Sequence, residues 1–323
     1  MKIDAKHLPT SDPVRKLQSS LQAKAKTEPR YRFYSLWDKV CRDDFLTEAY
    51  RRCRRNGGSA GVDAETFEQV ELSGREAWLG KLQEELRAKQ YRAQPLLRVW
   101  IPKSNGGQRP LGIPTVRDRV VQMAMVMVLG PIFEADLCEE QMGFRPGRDA
   151  KTAVRLVYYQ VRQKGRPEVV DADLSDYFST MPHGALMKSL SRRIADGHVL
   201  SVIAEWLEAP VEERTSGGRM MRKTPAKDAG RGTPQGGVIS PLLANVYFRR
   251  FVLAWKQLGY EKAFQSVIVN YADDCAPRAT DGEMNLFESA TAQPMRERKG
   301  PSGPADRSRS QIAFGGGGQK PRS

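Results

Sequence analysis

Between residues 36 and 163 the apolar positions recur mostly at the three-to-four-residue spacing of amphipathic helices. Leu36, Trp37, Val40, Phe45, Leu46 and Ala49 form one such face, and the run Arg51-Arg52-Cys53-Arg54-Arg55 leads into Asn56-Gly57-Gly58, a helix stop. Glu65 to Gln90 reads as further helix with Trp78, Leu79, Leu82 and Leu86 as its buried stripe. The period then shortens. Leu96 to Pro102 and Arg109 to Pro114 are strand-like, and Lys103-Ser104-Asn105-Gly106-Gly107 between them carries the Asn-Gly signal of a hairpin turn. Val116 to Leu137 and Asp149 to Gln163 return to helix, separated by the loop Gly143-Phe144-Arg145-Pro146-Gly147-Arg148. Residues 1–30 are polar, carry Pro9, Pro13 and Pro29, and have little apolar periodicity, so residues 1–35 read as a loose leader.

The second half changes character. In Val169-Val170-Asp171-Ala172-Asp173-Leu174, alternation puts Val170, Ala172 and Leu174 on one face of a strand and Asp171 and Asp173 on the other. Pro182 to Ile194 and Gly197 to Ala209 are helical by period, Val211 to Lys227 reads as an exposed hairpin, and Gly232-Thr233-Pro234-Gln235-Gly236-Gly237 precedes the apolar helical run Val238 to Phe248. Glycines at a helix start allow backbone amides to face a ligand, although the same pattern describes a plain loop-to-helix junction. Val267-Ile268-Val269-Asn270 reads as a buried strand and is followed by Tyr271-Ala272-Asp273-Asp274. Taken alone, that acid pair also describes a solvated turn. If the strand bearing Asp173 pairs beside it, three carboxylates converge, and a cluster of that kind suits divalent cations and phosphoryl transfer.

Charge narrows the partners. Lys plus Arg number 52 and Asp plus Glu 38, a net charge of +14, with a pI near 9.7. Such an excess points to a polyanion, because cations that neutralise phosphates release counterions. No long basic amphipathic helix stands out for a membrane surface, Met1 to Thr10 lacks a signal-peptide core, and Val120 to Phe133 is too short and too interrupted to span a bilayer. A soluble, cytoplasmic protein is expected. Cys41, Cys53, Cys138 and Cys275 form no C-x-x-C pair, and His7, His183 and His198 are scattered, so neither zinc nor a disulfide framework is suggested.

The ordered motifs carry a resemblance. Tyr271-Ala272-Asp273-Asp274 resembles the YxDD box of reverse transcriptases, Val170 to His183 (VDADLSDYFSTMPH) the first catalytic block, and Arg231 to Phe248 (RGTPQGGVISPLLANVYF) the G-x-P-Q-G block. Arg109 to Gln122 (RPLGIPTVRDRVVQ) and Gly143 to Val154 (GFRPGRDAKTAV) resemble the fingers blocks, and Asn56 to Phe67 (NGGSAGVDAETF) the N-terminal extension block of bacterial group II intron reverse transcriptases. Together these cover most of residues 36–274.

The resemblance implies an α+β right-hand polymerase fold, with helical fingers and a β-hairpin over residues 36–165 and a palm over 166–274. It implies RNA-directed DNA synthesis with two Mg²⁺ ions on Asp173, Asp273 and Asp274. The partners implied are an RNA template with a DNA primer, deoxynucleotides and group II intron RNA. Arg109 matches the family arginine of the fingers hairpin, where basic side chains close over the incoming triphosphate, with Lys103 and Arg117 as further nucleotide contacts. Phe178 stands where the family places the aromatic that excludes a ribose 2′-hydroxyl, and Gln235 where it lies against the nascent base pair. Arg145 and Arg148, and Arg54 and Arg55, are candidates for template or RNA phosphates. Ser179 departs from the family, many members of which carry an acid there. An alternative within the resemblance is an intron-RNA-binding splicing cofactor that does not polymerise, and another is an inactive remnant.

After Asp274 the pattern departs further. Cys275-Ala276-Pro277-Arg278-Ala279-Thr280-Asp281-Gly282 lacks β-branched residues and carries a proline, so the strand signal stops and the palm is expected to be incomplete. Residues 275–323 are rich in Gly, Pro, Ser and Arg and read as disordered, with the thumb absent. The switch suggests a frameshift, which the downstream coding sequence in the other two frames would test.

Overall fold

The computed structural model describes residues 11–102, 106–166, 172–174, 176–214, 220–223, 230–272 and 274–276, with backbone only at 172–173, 214, 220–223 and 274–276. Helix α1 (Asp12–Thr27) opens it, with Pro13 in the first turn, where a missing N–H costs nothing. Val14, Leu21 and Ala25 are buried, Leu17 packs beside them, and Gln18 Nε2 donates to Met127 O at 2.8 Å. The expected loose leader is thereby corrected over Asp12–Thr27, while its residues 1–10 lie outside the described residues. Its apolar residues fall at intervals of three, four and four, a stripe narrow enough to be hidden by the polar residues around it but sufficient to seat one face of a helix.

Two expected helices are each split. Leu36 to Ala49 divides into α2 (Trp37–Val40) and α3 (Asp43–Asn56), and α3 stops at Gly57 (φ 63°) where the Asn-Gly-Gly signal places it. Glu65 to Gln90 divides at Gly74 into α4 (Phe67–Ser73), whose Thr66 and Gln69 form a reciprocal capping box, and α5 (Arg75–Arg87). Strands β1 (Leu96–Pro102) and β2 (Gln108–Ile113) make the expected antiparallel hairpin, in register from Leu97↔Ile113 to Pro102↔Gln108.

Helix α6 (Val116–Glu134) is apolar on almost every side and is the axis of the core, packed by α1, α2, α3 and later α11. Helix α7 (Ala150–Arg162), capped by Asp149, lies over a second, small cluster with Met142 and Val269. Then come β3 (Ala172–Asp173), α8 (Tyr177–Thr180), α9 (His183–Leu190) and α10 (Gly197–Glu208). Strands β4 (Val211–Arg214) and β5 (Met220–Lys223) form the expected hairpin, and β4 joins β1 in parallel, giving a sheet of order β2-β1-β4-β5. Helices α11 (Ser240–Gln257) and α12 (Tyr260–Ala263) lead to β6 (Val269–Tyr271) and β7 (Asp274–Ala276), which with β3 form a second sheet of order β3-β7-β6. Among the described residues no helix is long and apolar enough to cross a membrane.

Asp196 ties the N-terminal helices to the second half of the chain. Its Oδ2 accepts from Leu36 N and Trp37 N at 2.9 Å each, and its Oδ1 accepts from His198 N at 3.1 Å and Val199 N at 3.2 Å, so one carboxylate caps both α2 and α10. Burial pushes its pKa up, but the four backbone N–H groups outweigh it and hold the carboxyl below its usual 3.8. Its stabilisation is therefore present above pH 3.8 and lost as pH falls through the lower folded value. Asp196→Asn leaves one acceptor where two are needed and is expected to cost about 2–3 kcal/mol at pH 7. Denaturant melts should show that deficit shrinking in acid, and a deficit that stayed constant below pH 3.8 would contradict this role.

Candidate active site

The β3-β7-β6 sheet brings together residues a hundred positions apart. Its register sets Asp173 opposite Asp274 and Tyr271 opposite Asp274 on the other side, with Ala172 and Asn270 flanking Cys275. Directly opposed residues of antiparallel strands have Cα atoms about 4.5–5.5 Å apart. Asp173 and Asp274 are thus cross-strand neighbours, while Asp171 and Asp273 lie outside the described residues. The expectation that the strand pattern stops at the acid pair is corrected by β7. This strand is paired on both sides, and ladder partners decide its conformation where composition argues against it.

The turn between β6 and β7 is tightly held. Ala272 has φ 63°, a left-handed conformation that costs a non-glycine residue on the order of 1–3 kcal/mol. Asn270 Nδ2 donates to Ala272 O at 2.9 Å. Residues 140–142 run parallel to β6, Asn270 N donating to Glu140 O at 2.9 Å and Met142 N to Asn270 O at 2.8 Å. Gly143 then meets the turn directly: a Cβ there would stand 2.2 Å from Ala272 N, so only glycine allows the two backbones to approach. Helix α11 braces this contact from behind. Asn245 Nδ2 donates to Gly143 O at 2.9 Å and Gln141 Nε2 to Asn245 O at 2.9 Å, both side chains being buried. Sequence reasoning missed Asn245 and Gln141. The detectable signal was Asn245, an amide in an otherwise apolar helical run; Gln141, beside Glu139 and Glu140, carried none.

Phe178, in α8, is half-buried and stands edge-on to Phe144 (centroids 6.4 Å) and to Tyr177 (5.8 Å). Tyr177 is the core aromatic of the pair, its hydroxyl donating to Ala244 O at 2.8 Å, and burial pushes its pKa upward. Phe178 O accepts from Thr233 N at 2.6 Å, which ties α8 to the Gly232–Gly237 loop. Gly112 N of β2 donates to Gln235 O at 2.7 Å, so this loop also fixes the β1-β2 hairpin. Of the two readings open for the start of the following helix, the contacts of Val238 and Ile239 fit the plain junction, because Gln122 Oε1 of α6 accepts from Val238 N at 2.8 Å and Ile239 N at 3.4 Å. Gln235 Oε1 is buried without a hydrogen-bond partner among the described residues, and its residue borders a cavity of about 180 Å³ with Arg98, Ser179 and Arg231.

The candidate cations separate into two groups. Arg109 on β2 and Arg55 at the end of α3 are exposed and make no ion pair among the described residues. Lys103 lies outside the described residues. The others have internal partners. Arg117 pairs with Glu85 and stacks over the Tyr91 ring at 4.9 Å, which fastens α6 to α5. Arg145 is buried, paired with Glu134 at 2.6 Å and donating to Cys138 O and Gln141 O at 2.6 and 2.7 Å. Arg117, expected at the nucleotide, and Arg145, expected at template or RNA phosphates, are both engaged by acids inside the fold, and a chain that folds a charge against an acid leaves no trace of it in a basic motif. Arg148 pairs with Glu139 at 2.8 Å and Arg54 with Glu71 at 2.9 Å, each retaining some exposure.

A match to the reverse transcriptase (RNA-dependent DNA polymerase) family runs over residues 101–283, from the end of β1 through β7, and includes both opposed aspartates. The chain belongs to the reverse transcriptase family. Its α+β architecture is that of a reverse transcriptase, and its relatives bear out the resemblance to group II intron proteins. The reverse transcriptase sequence is 37% identical to protein YkfC of Escherichia coli K12 over 245 residues, 74% of this chain and 61% of YkfC. It is 31% identical to the group II intron-encoded protein LtrA of Lactococcus lactis over 230 residues, 69% of this chain and 36% of LtrA. Among solved structures a partial Cas6-RT-Cas1–Cas2 complex aligns at TM-score 0.46 and 23% identity, over 76% of this chain and 38% of that one. The matched region thus spans less than two thirds of each of these curated relatives.

Proposed function

We propose that this reverse transcriptase chain is the RNA-directed DNA polymerase portion of a group II intron-encoded protein, with fingers over residues 36–165 and palm from 166. It extends a DNA primer on an RNA template in the mobility of its intron, in a bacterial cytoplasm, and binds that intron's RNA. The observation that carries the reading is the register of Asp173 against Asp274, since it joins the first catalytic block to the YxDD box across two adjacent strands.

That donor set fits a hard divalent cation, which takes carboxylate oxygens from the protein and the rest from phosphate and water. Asp173, Asp274 and the neighbouring Asp273 would hold two Mg²⁺ ions. Bound there, the metal supplies charge neutralisation at the triphosphate and a lower pKa for the primer hydroxyl. The residues of the chain do the positioning. Exposed Arg109 on β2 meets the triphosphate electrostatically. Phe178, propped between Phe144 and Tyr177, fills the space a ribose 2′-hydroxyl would need. Gln235, whose backbone is pinned to Gly112, faces the base pair being formed.

Primer extension on poly(rA)/oligo(dT) with Mg²⁺ tests the reading. Asp173→Asn is expected to lower the rate roughly a thousandfold, the loss of several kcal/mol of charge stabilisation. Extension by Asp173→Asn at the unmodified rate would overturn it.

A further inference from the structure

Helix α7 buries one side and leaves the other without a partner among the described residues. Ala153 and Gln160 are buried and Leu156 and Val157 half-buried, against Met142 and Val269. The opposite side exposes Val154 (66%), Tyr158 (61%) and Tyr159 (38%), together with Lys151, Arg155 and Arg162. Lys151, Arg155, Tyr158 and Arg162 follow one another at intervals of four, three and four, so they form a single stripe along the helix. At 1.5 Å per residue the stripe is about 16 Å long.

Its charge is of one sign. From Ala150 to Arg166 the sequence contains no Asp or Glu, and the N-cap Asp149 is occupied by Thr152 N and Oγ1, each at 2.7 Å. Lys151, Arg155 and Arg162 make no ion pair among the described residues, whereas Arg148, one turn before the helix, is paired with Glu139. Lys164 lies over the Tyr159 ring at 5.6 Å, adding a further cation to the edge of the stripe.

Cations without an ion pair among the described residues, set beside exposed Tyr158 and Tyr159, match the two chemistries of a single-stranded nucleic acid, phosphates and stackable bases. An anionic membrane fits less well, since the apolar part is one valine and two tyrosines with no Leu, Phe or Trp to insert. Because α7 packs its buried side toward β6, the stripe looks away from the sheet carrying Asp173 and Asp274. We infer that the outer face of α7 is a single-stranded RNA-binding surface, separate from the polymerisation site, in which Lys151, Arg155 and Arg162 contact phosphates and Tyr158 stacks on a base. The choice of RNA as the polyanion rests on the function proposed above.

The test uses the full chain and a 5′-fluorescein-labelled 20-nucleotide oligo(rU), with anisotropy titrations between 50 and 200 mM salt. Arg155→Gln/Arg162→Gln is expected to reduce the slope of log affinity against log salt by about 1.4, at about 0.7 per phosphate contact. Tyr158→Ser is expected to weaken binding roughly 5- to 150-fold, the effect of one lost base stack, with the slope unchanged. Unmodified affinity and slope in both variants, or no oligo(rU) binding by the parent chain, would overturn the inference. So would variants that lose binding to phosphatidylserine vesicles while keeping oligo(rU) binding. Primer extension separates the two readings. If the parent chain extends primers and the α7 variants bind RNA as it does, this inference alone fails. If the parent does not extend primers but the α7 variants still lose RNA affinity, the polymerase reading alone fails.

Discussion

Gly143→Ala is expected to lower primer extension about a hundredfold or more while the protein still folds. The added Cβ would stand 2.2 Å from Ala272 N, 2.9 Å from Ala272 Cα and 3.1 Å from Tyr271 C, all backbone atoms that no rotamer change can move aside. Relief requires the segment at residues 140–143 or the turn itself to shift by about an ångström. Overpacking of this kind costs roughly 1–3 kcal/mol. The larger consequence is positional, because Asp273 and Asp274 follow Ala272 directly and a displacement of about 1 Å at a reacting centre can cost 10²-fold. Extension kinetics beside a thermal melt check this. Activity within twofold of the parent would mean that the close approach does not set the position of the acid pair.

Arg193→Met is expected to produce the largest loss of stability, about 3–5 kcal/mol, because it strands groups at the join between α1 and the rest of the core. Arg193 is buried, with its guanidinium donating to Ala25 O at 2.8 Å, Glu28 O at 3.1 Å and Pro29 O, and its Nε 3.2 Å from Asp136 Oδ2. Its own backbone O accepts from Phe33 N at 2.7 Å, an interaction the substitution preserves. Burial holds the Asp136 carboxyl above its usual 3.8, while Arg193 and Arg249 pull it down. Removing Arg193 lets it rise further. A carboxyl whose folded pKa lies above its unfolded value costs the fold stability as pH rises through that folded value, so the deficit should be greatest near neutrality and shrink toward pH 4. Denaturant melts between pH 4 and 7.5 measure this, and a deficit independent of pH would show that the lost carbonyl contacts, not Asp136, dominate. Limited proteolysis should also cleave α1 first in the variant.

The strand bearing Asp173 and the β1-β2 hairpin were legible because each is a local pattern, whereas the acid pair, which alone also describes a solvated turn, stood out only by its place among the ordered motifs. The pairing of Asp173 with Asp274 was legible only through the order of the motifs, since no local signal specifies which strands share a ladder. Strand β7 was misread because propensity was weighed without its two neighbours. The stripe of α1 was overlooked because its four residues, spread over a sixteen-residue helix, make a weak period. Arg117 and Arg145 show a different limit. Their partners, Glu85 and Glu134, lie 32 and 11 residues away, and nothing in a motif distinguishes a guanidinium that folds inward from one that waits for phosphate.

The order β3-β7-β6 also constrains when the sheet can be completed. The middle strand is the last to leave the ribosome, so β3 and β6 have no ladder with each other to form beforehand, and β3 waits through about a hundred residues of synthesis for its neighbour. The helical core around α6, by contrast, draws much of its packing from residues already made. Pairing of Asp173 with Asp274 is therefore a late event, imposed on a scaffold that has largely set, and a nascent chain arrested before Asp274 would carry β3 with no neighbour in its sheet.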